Sequence, residues 1–262
     1  MSADLRLEWL GQSGFLIGIG GANVVVDAFL SPHPDRRAAS KLPDGASRAL
    51  DVIACTHEHL DHLDADGVRE LCAGSPRAKV VVPEPIVEMV TELGIQRERV
   101  IGMRPDHPVE LAGITIHAVP AMHGVHVADA YSFGREMSGG LDRFLGFIFE
   151  GAEGCVYHAG DTIPYEGLAR RLRDLHVDVA LLPINGRDKA REALDFVGNM
   201  DADEAAAIAI EAGVDVAIPM HYDMFAANPG DPARFVAALQ GAGASVNVVV
   251  LAHGRPFTYA SR

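Results

Sequence analysis

Thr56-His57-Glu58-His59-Leu60-Asp61-His62 places four metal-ligand side chains within six residues, in the order His-x-His-x-Asp-His. Imidazole nitrogens suit zinc, iron and related divalent ions, and a carboxylate adds charge and a harder donor. The residues before it, Asp51-Val52-Ile53-Ala54-Cys55, read as a buried strand. The residues after it, Asp64 to Cys72, read as a helix with Gly74 just beyond as its stop. The four candidates therefore sit on a strand-to-helix loop, where the backbone can turn them to one side. Two histidines alone would say little. The adjacent pair Asp61-His62 offers ligands to a second, neighbouring ion, and a solvated loop has no reason to gather such a set.

Bulk composition narrows the function. The 262 residues suffice for one large domain over residues 1–262, and no low-complexity linker or composition break divides them. A hydrophobic fraction of 48% and a charged fraction of 22% are those of an ordinary globular chain. No apolar run reaches the ~18–20 residues of a membrane span. The stretch Met1 to Arg6 lacks the basic and apolar regions of a secretory signal. Three cysteines, Cys55, Cys72 and Cys155, fit a reducing cytoplasm better than a disulfide framework. Cys55, two residues before His57, ends an apolar strand and reads as a core residue. The formal net charge of −14 would repel nucleic acid, and no basic cluster stands out. A small anionic substrate is still compatible, because bound metal ions would dominate the local field. No feature encodes an oligomeric state, and a homo-oligomer is compatible with the sequence.

Along the chain, Leu5 to Leu10, Gly14 to Ile19 and Val24 to Asp27 read as strands, with Gly20-Gly21 turning between the second and third. Ser31 to Ser47, with three prolines, reads as a loop at the mouth of the site. Lys79 to Pro83 reads as a strand and Glu84 to Leu93 as a helix ended by Gly94. Val109 to Val119 reads as a turn-linked strand pair, and Phe144 to Phe149 pairs with Cys155 to His158. The second half alternates. Helices are expected over Pro164 to Leu175, from the capping box Asp201-Ala202-Asp203-Glu204 to Ala212, and over Pro232 to Gln240. Strands are expected over Val177 to Leu182, Val214 to Pro219 and, as the last one, Val246 to Leu251. This pattern by itself supports a mixed α/β fold.

His57, His59, Asp61 and His62 resemble the signature of the metallo-β-lactamase superfamily of metal-dependent hydrolases. Other motifs of that family appear in order along the chain: Asp27 after Val24-Val25-Val26, His123 after Val119-Pro120-Ala121-Met122, Asp161 in His158-Ala159-Gly160-Asp161-Thr162, and His221 in Ile218-Pro219-Met220-His221-Tyr222. A narrower likeness, to the L-ascorbate-6-phosphate lactonase-like branch, is carried by four stretches: Trp9 to Phe15, Leu182 to Arg187, Gly198 to Asp201 and Pro219 to Phe225. The resemblance implies a four-layer αββα sandwich, two mixed β-sheets flanked by helices. It implies one metal position at His57, His59 and His123, another at Asp61, His62 and His221, and Asp161 bridging them. Two divalent ions are expected, zinc or manganese, with iron admitted by the carboxylates. Two ions ~3.5–4 Å apart can hold a hydroxide as nucleophile at neutral pH. Asp61 and Asp161 would thus serve catalysis through the metals.

Asp27 reads as a brace for the metal loop, or else as a strand-end aspartate capping a turn. Asn185, Arg187 and Asn199 are candidates for reading the substrate. Arg187 could take an anion bidentately or be a surface charge beside Asp188 and Lys189, and Asn199 could equally serve a turn. Tyr222 and Tyr165 flank ligand motifs and could donate to a developing oxyanion, or simply pack. His253, after the last expected strand, is a candidate catalytic residue, with His126 a second. His158 reads either as support for the site or as a core histidine. The function expected is hydrolysis of a small, anionic molecule, a lactone-type ester first and a phosphodiester or other phosphoryl bond as the alternative. A non-catalytic metal-binding scaffold is disfavoured because all seven ligand candidates are present.

Overall fold

Residue-by-residue alternation sets the direction of the early strands. In Ala22–Val26, Val24 and Val26 face one core and Val25 another. In Val52–Ala54, Val52 and Ala54 share the first core with Val81, while Ile53 joins Val25, Val80 and Val82 in the second. Both faces of this sheet must therefore be covered. A computed structural model, which describes residues 5–243 and 245–260, shows how. Residues 1–4 of the stretch inspected for a signal lie outside the described residues.

The strands are β1 (Leu5–Gly11), β2 (Gly14–Ile19), β3 (Ala22–Val26), β4 (Val52–Ala54), β5 (Lys79–Pro83), β6 (Val100–Met103), β7 (Val109–Leu111), β8 (Ile114–Pro120), β9 (Leu145–Gly151), β10 (Gly154–His158), β11 (Val179–Pro183), β12 (Val216–Met220), β13 (Asn247–Val248) and β14 (Phe257–Tyr259). They form two seven-stranded sheets, ordered β14-β1-β2-β3-β4-β5-β6 and β13-β12-β11-β10-β9-β8-β7. Each sheet is antiparallel in one half and parallel in the other, the change falling at β3 and at β10.

Phe15, Ile17 and Ile19 of the first sheet share one core with Phe147, Phe149 and Val156 of the second, so the sheets lie face to face. The helices are α1 (Ala65–Gly74), α2 (Val87–Glu92), α3 (Leu168–Asp174), α4 (Lys189–Glu192), α5 (Ala202–Ala212) and α6 (Pro232–Gly241). α1 and α2 close the outer face of the first sheet with Val68, Leu71, Val87 and Val90. On the second sheet α5 packs against β11 and is flanked by α3 and α6. Covered on both sides, β11 and β12 are buried at every residue. The αββα sandwich of two mixed sheets is borne out. Among the described residues no helix is long and apolar enough to cross a membrane.

Several boundaries differ from the sequence reading. α1 runs through Gly74 to a cap at Ser75, because Asp64 caps its start and the last turn closes on Leu71. α3 begins at Leu168, since Gly167 at φ 95° breaks any helix starting at Pro164. The expected last strand shrinks to Asn247–Val248, an edge pair against β12, and the chain then crosses to the other sheet, where β14 pairs with β1. An apolar run marks burial, and it does not mark where a ladder ends. β6 and α4 were not expected.

The architecture fixes where chemistry can occur. Asp27, the His57 loop, His123, Asp161, Asn185 and His221 directly follow β3, β4, β8, β10, β11 and β12. In open α/β sheets the carboxyl ends of strands are where ligands bind.

Candidate metal centre

Two groups of side chains converge at that edge. One joins His57, His59, His123 and Asp161, the other Asp61, His62 and His221, and within each group the potential ligand atoms lie within 4.8 Å of one another. His59 Nδ1 is 3.0 Å from His57 Nε2 and 3.3 Å from His123 Nε2. Asp161 divides its carboxylate between the groups. Its Oδ2 is 3.5 Å from His123 Nε2, and its Oδ1 is 3.3 Å from His62 Nε2 and 3.2 Å from His221 Nε2. Asp61 Oδ2 is 3.4 Å from His221 Nε2 and 3.8 Å from His62 Nε2.

The donor set fits metal ions. His62 Nε2 and Asp161 Oδ1 are buried and without a hydrogen-bond partner, although they face one another. Leaving buried polar atoms unpaired is costly, and a cation between them would satisfy both. Charge is divided within the cluster. Burial pushes the His57 imidazole well below its ordinary range and that of His123 down to about 3, so both are neutral, as ligands must be. Burial also opposes charge on His62 and His221, but Asp161 and Asp61 outweigh it and hold His221 up to about 9. Burial likewise disfavours the charged forms of Asp161 and Asp61, and the neighbouring imidazoles override it.

Around the cluster lies a hydrogen-bonded support. Asp27, fully buried, accepts from the Thr56 amide at 2.8 Å through Oδ1, and from the Thr56 hydroxyl (2.6 Å) and His62 Nδ1 (2.7 Å) through Oδ2. A carboxylate there can only accept, so His62 donates from Nδ1 and turns Nε2 to the site. The Met122 amide donates to the Thr162 hydroxyl at 2.9 Å, joining the segments that carry His123 and Asp161. Asp64 caps α1 and also accepts from the Leu30 and Ser31 amides, tying the mouth loop to the metal loop. His158 donates through Nε2 to the Ser13 carbonyl at 2.7 Å and is a buried strut between the sheets.

The remaining candidates are placed as follows. Asn185 accepts from Asn199 Nδ2 at 3.0 Å and donates to Asn228 at 2.7 Å. Asn199 is fully buried, and its Oδ1 has no partner. Arg187 grips Glu204 with both terminal nitrogens and reaches the Asn199 carbonyl, so its fork is engaged within the chain. Tyr222 packs on Trp9 at 5.0 Å, and Tyr165 donates to the Pro120 carbonyl. His253 is held by Asp223 at 2.5 Å and lines a cavity of about 420 Å³ with Trp9, Leu42 and Lys41. That lining includes none of the seven ligand candidates. His126 is exposed beside Asp195. Cys55 is buried in the helix-side core, and it belongs to neither ligand group.

Gln12, Thr56, Thr162 and Asp223 were not singled out from the sequence. Gln12 Nε2 donates to Asp61 Oδ2 at 2.8 Å, and Asp223 accepts from the Gln12 amide at 3.1 Å. The only signal was position: Gln12 lies in a stretch that carried the resemblance, and the others are one or two residues from a ligand.

Known proteins resemble the chain over most of its length. A family model described as a beta-lactamase superfamily domain matches residues 22–222. A UPF0173 metal-dependent hydrolase of Methanopyrus kandleri is 34% identical over 257 residues, 97% of this chain and 99% of its own. Igni18, a metallo hydrolase from the archaeon Ignicoccus hospitalis, superposes with a TM-score of 0.76 at 26% identity, covering 99% of this chain and 100% of its own. The metallo-beta-lactamase fold protein YhfI of Bacillus subtilis gives a TM-score of 0.71 at 17% identity over 98% of this chain and 100% of its own. At that identity the last likeness speaks for the fold alone.

Proposed function

The chain belongs to the metallo-β-lactamase superfamily, among its metal-dependent hydrolases, and from that premise we propose that it is a dinuclear enzyme that opens a lactone-type ester of a small, anionic substrate. The observation that carries the dinuclear reading is the division of the Asp161 carboxylate, Oδ2 toward His123 and Oδ1 toward His62 and His221. His57, His59, His123 and Asp161 would hold one ion, and Asp61, His62, His221 and Asp161 the other. The imidazole-rich set suits zinc, and the carboxylates admit manganese. Bound divalent ions lower the pKa of water toward neutrality and polarise the attacked oxygen.

The chain's own part is orientation. Asp27 fixes the donor face of His62, and Thr56 ties Asp27 to the backbone of the metal loop. Burial keeps His57 and His123 unprotonated, so they present lone pairs. Phe144 packs within 6.0 Å of His57, His59 and His123 and keeps water from that side of the cluster. Asn199, whose Oδ1 is buried and unpartnered, stays with Asn185 as the candidate pair for reading the substrate. Arg187, engaged by Glu204, steadies the Asn185–Asn199 pair.

Turnover of lactone and phosphodiester panels by protein loaded with zinc or with manganese tests this reading. We expect lactone opening that His59→Ala lowers by at least about 100-fold. Phosphodiester cleavage without lactone opening would reject the ester. No turnover of either panel would reject the assignment to these two bond classes.

A further inference from the structure

Gln12 occupies the turn between β1 and β2 at φ 52°, a left-handed conformation that is costly for a residue with a Cβ and persists only where its surroundings fix it. Three hydrogen bonds to its backbone fix it. Its amide donates to Asp223 Oδ1 at 3.1 Å, and its carbonyl accepts from Trp9 Nε1 and from the His221 amide, each at 2.9 Å. The buried carboxamide then reaches the metal centre, Nε2 donating to Asp61 Oδ2 at 2.8 Å and lying 3.2–3.3 Å from the His221 ring nitrogens. The preceding Gly11, at φ 100°, leaves room for His253, which a Cβ there would meet at 3.2 Å, and His253 in turn holds the other oxygen of Asp223. Strain, packing and hydrogen bonding thus combine to aim one side chain.

The chemistry of that side chain matters. A carboxamide nitrogen offers two N–H donors and no lone pair, so Gln12 Nε2 can hold a ligand without becoming one. Its bond leaves Asp61 Oδ2 a further lone pair for a cation. A carboxylate in its place would repel Asp61, and an asparagine would stop one methylene short.

We propose that Gln12 is a positioning residue of the metal centre, setting the affinity of the Asp61–His62–His221 position by fixing Asp61 and His221 while leaving the His57–His59–His123 position untouched. This inference rests on the two-position reading given above.

The test is a titration of metal-stripped protein with Co²⁺, followed by calorimetry and visible absorption, for wild type and Gln12→Met. Methionine keeps the length and loses the donor. Wild type should bind in two steps. In Gln12→Met one step should keep its affinity and its absorption, while the other weakens about 10–100-fold with an altered band, as loss of a hydrogen bond to a ligand typically produces. Two steps of wild-type affinity and spectrum in Gln12→Met would overturn the proposal, and so would equal weakening of both. Should Gln12→Met not fold, Gln12→Asn carries the same test with the same expected outcome. A wild type that binds a single Co²⁺ would instead overturn the two-position reading itself.

Discussion

Asp27 contributes no atom to the ligand groups, yet it takes three donors from the metal loop: the Thr56 amide, the Thr56 hydroxyl and His62 Nδ1. It does so at φ 47°, in the left-handed region, and without exposed surface. Removing the carboxylate frees His62 to rotate and to change tautomer. We therefore expect Asp27→Ala to weaken metal affinity by about 10–100-fold, read by competition with a chelator of known affinity. Wild-type affinity in that variant would show that the loop alone holds His62. The same residues show what was legible. His57, His59, Asp61 and His62 could be read because ligand side chains at short spacing are chemically distinctive. Gln12 could not be read as a partner of Asp61, because 49 residues separate them, and 211 separate it from Asp223. Glutamine at a turn has no signature of its own, and only the fold supplies its partner.

Among the elements, β14 was the least legible and is structurally consequential. Its three residues follow a run of polar and turn residues, and nothing local marks them as pairing with β1. Its Tyr259 hydroxyl donates to Asp215 at 2.8 Å and lies 3.3 Å from Asp178, so the edge of one sheet is joined to the strand starts of the other. Burial first, and the two carboxylates with it, raise the phenol above its ordinary value of about 10. A raised folded value means that the stabilisation is complete below pH 10 and is lost as pH climbs from 10 toward that value. Tyr259→Phe is expected to lower stability by about 1–2 kcal/mol at pH 8. The gap between variant and wild type should narrow above pH 10, which urea unfolding at the two pH values will show. A gap that does not change with pH would mean that the hydroxyl contributes by packing alone. The α5 helix makes the contrast: its capping box at Asp201 and Glu204 and its left-handed Gly213 are local signals, and they mark its ends correctly.

For the whole molecule, the mixed α/β character was readable from alternating apolar positions, while the pairing of two mirror-like sheets came from the family resemblance. Periodicity reports burial and says nothing of which sheet a strand joins, and that is why the final strand was expected over Val246 to Leu251, where only Asn247–Val248 pairs, while β14 on the other sheet was not expected. The architecture brings six strand ends to one edge, where six ligand side chains gather around a seventh, Asp161. We propose that this gathering holds two ions. Metal-stripped protein, saturated with zinc and desalted, should carry two zinc ions per chain by elemental analysis, and Asp161→Ala should carry fewer. One zinc ion or none on the wild-type chain would rule out a two-ion centre.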